Sequence, residues 1–264
     1  MEPLRVALAQ ADIVLGNPEA NRSRLPEWAA RAAGVGAQLL LLPELWDVGY
    51  AHACWPTVGA PLRGGACDAL AQVAQRFHLF IAASVLERHE EGLSNTAVVV
   101  SPQGDLVGSY RKVHLIPLFQ EDKYFQPGLT PAFVELPWGR MGLAVCYDLR
   151  FPELFRAYAV GGAVAVLLVA EWPHERIEHW RALIRARAIE NQFFMMACNR
   201  VGRDAAVGFG GHSMAVGPRG EVLVEGNGAE ALLAADVDLS QVHLARSEVP
   251  ALAGRRPDLY VQWW

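Results

Sequence analysis

Residues 38–42 (Gln-Leu-Leu-Leu-Leu), 142–145, 164–169 and 193–198 are short runs in which almost every side chain is apolar. A strand with one wet face alternates polar and apolar residues. These runs have no polar face, so each fits only a strand covered on both sides. Helical signals lie between them. Asn17-Pro18 places a capping side chain before a proline suited to a first turn, which predicts a helix to about Ala33. Residues 66–77 and 152–160 read as helices, and Trp180, Leu183, Ile184 and Ala188 share one helical stripe. Buried strands alternating with helices imply α/β layers around a common core.

Two further runs, 4–10 and 79–84, complete the buried strands of the first half. Residues 96–100 turn through Pro102-Gln103-Gly104-Asp105 into 106–110. A second hairpin echoes it, with 213–216 turning through Pro218-Arg219-Gly220-Glu221 into 222–225. The repetition predicts two similar halves folded against each other within one domain spanning 1–264. The tail, 246–264, contains Pro250, Pro257 and the terminal Trp263-Trp264. It reads as an extended arm whose tryptophans pack on a partner subunit.

Composition excludes several classes. A net charge of −5 with scattered arginines is not a nucleic-acid footprint. The longest apolar stretch, 157–170, is interrupted by Gly161-Gly162 and falls short of the roughly 18 residues a membrane span needs. The opening MEPLRVALAQ lacks the charged, apolar and cleavage regions of an export signal. Cys54, Cys67, Cys146 and Cys198 are widely separated, with no C-x-x-C pair and no histidines at zinc-ligand spacing. A cytoplasmic protein acting on a small molecule, without disulfides, metal or cofactor, is the expectation.

Three reactive side chains end predicted strands. Cys146 closes the run MGLAVC directly before Tyr147 and a proline-initiated helix, a strand-to-helix elbow that would lift a nucleophile toward free backbone N–H groups. Glu44 closes LLLLPE and Lys112 follows the hairpin in YRKVHL. Singly, these are a core cysteine, a solvated carboxylate and an ordinary surface lysine. Together they stand at strand ends, where α/β sheets collect their ligand sites.

In that order, LLPELW, YRKVHL and CYDLRFPE resemble the nitrilase superfamily of carbon–nitrogen hydrolases. The resemblance covers essentially the whole chain, including VALAQ, NTAVV, FQEDKYFQPG and RARAIENQFFMMACNRVG. It implies a four-layer αββα sandwich, assembled as a homodimer or larger homo-oligomer. It also implies Cys146 as nucleophile, Glu44 as general base and Lys112 as the cation that steadies the oxyanion, helped by the backbone N–H of Tyr147. Glu121 matches a second glutamate of the family, and would position either Lys112 or the substrate amide. Arg150 could bind a substrate carboxylate, or join Asp148 and Glu153 in an ion network. Trp172 could wall the pocket or lie in the core.

Within the superfamily, CYDLRFPE, AEWPHERIEHWRALIRARAIENQ and CNRVG are most similar to the ω-amidase branch. That resemblance implies hydrolysis of an ω-amide of a 2-oxo acid, such as 2-oxoglutaramate. An N-carbamoyl amino acid or amine is the alternative substrate, and a scaffold that keeps the fold without activity is the alternative of another class. A serine hydrolase fits poorly: Gly211-His212-Ser213-Met214-Ala215 lacks the second glycine and leads into a hairpin. Neither Gly34-Val35-Gly36 nor 208–211 completes a phosphate loop.

Overall fold

The structure is a computed structural model, and it describes residues 3–204 and 207–262. The first half runs β1 (Leu4–Gln10), α1 (Pro18–Gly34), β2 (Leu39–Leu41), α2 (Trp55–Val58), α3 (Gly65–Phe77), β3 (Phe80–His89), β4 (Gly92–Val100), β5 (Leu106–Arg111) and the short α4 (Glu121–Tyr124). The second runs β6 (Phe133–Leu136), β7 (Gly139–Val145), α5 (Pro152–Val160), β8 (Ala165–Ala170), α6 (Ile177–Asn191) and β9 (Phe194–Asn199). A ribbon of β10 (Val201–Arg203) and β11 (Gly208–Gly210) follows. The chain then forms β12 (Met214–Val216), β13 (Val222–Glu225), β14 (Ala231–Val237), α7 (Gln241–Glu248) and α8 (Pro257–Tyr260).

Two six-stranded sheets result, in the orders β14-β1-β2-β3-β4-β5 and β13-β12-β9-β8-β7-β6. In each, three parallel strands (β1, β2, β3 and β7, β8, β9) are extended by antiparallel neighbours on both sides. Reading the second sheet backward superimposes the patterns: β6 takes the place of β14, β7 of β1, and the pair β12-β13 that of β4-β5. The two similar halves expected from the hairpins are therefore present, with β14 closing the first sheet from the far end of the chain.

Side-chain alternation explains why the buried runs lack a polar face. Leu4, Val6 and Leu8 of β1 point inward and share one core with Leu143, Val145, Leu167 and Met196 of the other sheet. Ala7 and Ala9 point outward, under Leu25, Trp28 and Ala29 of α1 and Leu70 and Val73 of α3. On the opposite side, Phe155 and Tyr158 of α5 and Trp180 and Ile184 of α6 cover the second sheet. Helix, sheet, sheet, helix is the four-layer α/β order that the resemblance implied.

The layers approach closely at Gly142, where an added Cβ would lie 2.5 Å from the Tyr158 ring. Gly142→Ala should lower stability by about 1–3 kcal/mol, because neither β7 nor α5 can retreat without opening the core. Urea denaturation checks this; an unchanged midpoint would mean that the layers yield.

Several segments depart from the sequence expectation. β3 and β4 run on through polar residues to a turn at 90–91, because Glu87 accepts from Thr96 Oγ1 at 2.7 Å and pairs with Arg111 across the strands. β6, the β10-β11 ribbon and β14 were not anticipated. The stretch read as an extended arm begins inside α7 and includes the helical turn Pro257–Tyr260. Trp263 and Trp264 lie outside the described residues. Among the described residues, no helix is long and apolar enough to cross a membrane.

Candidate active site

The ends of β2, β5, β7 and β8 open on one side of the sandwich, and each delivers one ionisable or nucleophilic residue there. After β2 the chain turns at Leu45 (φ 42°), whose N–H donates to Ser84 Oγ at 2.7 Å, and this fixes Glu44 at the strand end. Lys112 extends β5 by one residue, its N–H donating to the Asn95 carbonyl at 2.9 Å. Both side chains are fully buried.

Cys146 is held at the elbow after β7 with φ 44°, a left-handed conformation that costs a non-glycine residue energy unless its surroundings impose it. Asp148 imposes it. Its Oδ2 accepts from Val145 N and Tyr110 Oη, both at 2.9 Å, while its Oδ1 accepts from His114 N at 3.1 Å and lies 2.7 Å from His114 Nδ1. The His114 ring stacks on Phe151 at 3.7 Å. Tyr147 is the second residue of the 3₁₀ segment Cys146–Arg150, whose first backbone N–H groups have no partner within the segment.

Sequence-distant charges converge here. Lys112 Nζ lies 2.8 Å from Glu44 Oε1 and 2.8 Å from Glu121 Oε2. Glu44 Oε2 accepts the Glu171 backbone N–H at 2.9 Å, and Glu121 Oε2 that of Ile116 at 2.8 Å. Burial works against the Lys112 ammonium, but the Glu121 and Glu44 carboxylates outweigh it and hold its pKa above the usual lysine value. Lys112 stays charged. Burial raises the pKa of Cys146 far above that of a free thiol, and the charge and hydrogen bond of Glu44 add to the effect, against the pull of Lys112. Both effects favour the thiol over the thiolate, with the Glu44 carboxylate beside it.

Cys146 and Tyr147 line a cavity of about 430 Å³, walled by Trp172 and Pro173 and by 116–119. Arg150 and Arg176 supply its cationic groups, His179 also lines it, and among the described residues none of the lining is acidic. Arg150 stacks its guanidinium over the Trp172 ring at 4.7 Å. Among the described residues it has no ion pair with Asp148 or Glu153, so the network considered for these three residues is not formed. Asp148 instead braces the elbow, and Trp172 is both buried and a cavity wall.

Three neighbours of the acid were missed. Tyr50 Oη is 2.9 Å from Glu44 Oε1 and 2.8 Å from Glu121 Oε1, and Asn95 Nδ2 donates to the same two atoms at 2.8 and 3.2 Å. Glu171 is buried behind them with Arg200 Nη1 at 2.8 Å; burial, with Glu44 nearby, lifts its pKa to about 8. Tyr50 lies five residues after PEL and Glu171 directly after LLVA, within the stretch AEWPHERIEHWRALIRARAIENQ, which was the available signal. Asn95 opens the NTAVV motif, which marked the strand but not the role of its side chain.

Known proteins resemble this chain along nearly its whole length. The carbon-nitrogen hydrolase family profile matches residues 5–247. The chain is 35% identical to the 2-oxoglutaramate amidase of Bacillus subtilis over 97% of its own length and 98% of that protein's. It is 31% identical to omega-amidase NIT2 of Homo sapiens, over 98% of each chain. It superimposes with a TM-score of 0.89, at 30% identity, on an amidase from Nesterenkonia sp. AN1 whose active-site cysteine carries an acrylamide adduct, covering 99% of this chain and 100% of that one. By sequence, fold and the residues gathered at its strand ends, this chain belongs to the carbon-nitrogen hydrolase family and is a carbon-nitrogen hydrolase.

Proposed function

We propose that the enzyme hydrolyses a small carboxylic amide, in particular the ω-amide of a 2-oxo acid such as 2-oxoglutaramate, to the acid and ammonia through a thioester on Cys146. The observation that carries this reading is the buried Glu44–Lys112 pair, 2.8 Å across, beside a thiol whose cavity is lined by Arg150 and Arg176 and, among the described residues, by no acidic group. The substrate class is supported by the similar 2-oxoglutaramate amidase and omega-amidase relatives.

The steps follow from the protonation states. As Sγ attacks the amide carbon, its proton passes to Glu44 and the carbonyl π pair moves to oxygen. Lys112 and the Tyr147 N–H stabilise that oxyanion by roughly 3 kcal/mol per well-placed donor. Glu44 returns the proton to nitrogen, the C–N bond breaks, and ammonia leaves. Water then attacks the thioester while Glu44 takes its proton, and the thiol is regenerated as the acid departs. Glu121 shares Lys112 with Glu44 and so keeps the ammonium in place whenever Glu44 is neutral.

Arg150 is the candidate for the far carboxylate, since a guanidinium resting on an indole face retains its donors for an anion. Arg150→Ala should raise KM for 2-oxoglutaramate about tenfold or more, while kcat/KM for an uncharged short amide changes less than about twofold. Equal losses on both substrates would remove Arg150 from carboxylate recognition. Steady-state ammonia release from ω-amides, N-carbamoyl amino acids and simple nitriles tests the substrate class. Preference for a carbamoyl compound would overturn the ω-amide assignment but leave the chemistry standing.

A further inference from the structure

The Tyr50 hydroxyl has one proton and two carboxylate oxygens within reach, Glu44 Oε1 at 2.9 Å and Glu121 Oε1 at 2.8 Å. It can satisfy only one at a time. We propose that Tyr50 is a positioning residue whose O–H swings between Glu44 and Glu121 in step with the protonation of Glu44, and that this lets one buried glutamate serve as base and as acid. The inference rests on the amide-hydrolysis reading above and deepens it.

The surroundings supply what such a swing needs. The groups facing the hydroxyl are Glu44, Glu121, Lys112 (3.5 Å away), the Cys146 thiol and, behind them, Glu171 with its partner Arg200. Burial and the surrounding carboxylates raise the phenol's pKa well above its ordinary value, so Tyr50 keeps its proton throughout. The ring is held against Phe119 at 4.9 Å and Trp55 at 5.9 Å, with His52 at 6.4 Å, which leaves rotation about the C–O bond as the free motion.

While Glu44 is ionised, the Tyr50 O–H donates to it and stabilises the base. When the S–H bond breaks and an O–H bond forms on Glu44, the negative charge it carried moves to sulfur and then to the oxyanion. Glu121 is now the remaining carboxylate, and Tyr50 turns to it. Lys112 is thereby free to direct one N–H at the oxyanion without leaving Glu121 short of donors. Asn95 has two N–H groups and serves both carboxylates at once, so it has no need to move. Return of the proton to the leaving nitrogen reverses the swing.

Tyr50→Phe removes the hydroxyl and keeps the ring. A hydrogen bond to the ionised form lowers a carboxyl pKa, so its loss should move the acid limb of kcat/KM up by about one pH unit. We expect kcat to fall about tenfold with KM within about twofold. The alkylation of Cys146 by iodoacetamide, followed against pH in the same two proteins, should show the same upward shift without any substrate. A variant whose acid limbs stay put in both measurements overturns the role, even if kcat falls, because a merely structural hydroxyl would cost rate without moving a titration. Should the wild type release no ammonia from any amide, the substrate reading fails while the alkylation profiles still decide Tyr50.

Discussion

The Cys146→Ala variant will release no ammonia from any amide, yet it will fold. Alanine adopts the left-handed conformation at 146 no less readily than cysteine, and Asp148, not the sulfur, holds the elbow. Losing one buried sulfur atom costs about 1 kcal/mol, which lowers the thermal midpoint of a chain this size by about 2–4 °C. A companion measurement exploits the other thiols. Burial raises the pKa of Cys54, Cys67 (to about 12), Cys146 and Cys198 alike, so thiolate content alone would make all four slow to alkylate. Among these, Cys146 has a buried carboxylate ready to take its proton. Iodoacetamide should therefore label it first in the wild type, and Glu44→Gln should abolish that advantage. Residual turnover by Cys146→Ala, or labelling that follows exposure alone, would remove Cys146 as the nucleophile.

Lys112→Ala should depress kcat/KM by about a hundredfold or more through the oxyanion, and should also cost about 3–5 kcal/mol of stability by stranding two buried carboxylates. The stability loss depends on pH in a direction that can be worked out. Burial raises the pKa of Glu121, Lys112 pulls it back down, and Glu44 pushes it up again. Without Lys112 the downward pull is gone. A carboxyl whose folded pKa lies above its unfolded value of about 4.3 supports the fold fully only below that value, and less as pH rises through the folded pKa. The variant should accordingly be closer to wild-type stability at pH 5 than at pH 8, as read by urea denaturation at each pH. A variant with normal turnover would reject the oxyanion role, and one destabilised equally at both pH values would reject the buried-charge account.

The strands that sequence periodicity read best are those buried on both faces, because a run such as LLLL at 39–42 has one stable environment. Reading failed where a strand was polar or its partner was distant. β3 was expected to end at Ser84, where the apolar run stops, but cross-strand pairing of Glu87 with Thr96 and Arg111 carries it to His89. β14 pairs Ala231 with Gln10 and Val237 with Leu4 across nearly the whole chain, and no local pattern announces such a contact. In the site, Glu44, Lys112, Glu121 and Cys146 were legible from their motifs. Tyr50 was not singled out and Asn95 only as part of the NTAVV strand, since a hydrogen-bond donor gains its meaning from the acceptor it meets.

The order of residues alone decided that this chain builds covered sheets, and that an acid, a lysine and a thiol stand at strand ends, because burial and turn chemistry act over a few neighbouring residues. Tertiary structure decided that the acid and the lysine meet at 2.8 Å, that Tyr50 has two carboxylates to choose between, and that Arg150 lines the cavity and, among the described residues, has no ion pair. Such distances depend on strand order and register between segments dozens to hundreds of residues apart. They are fixed only when both sheets close on one core.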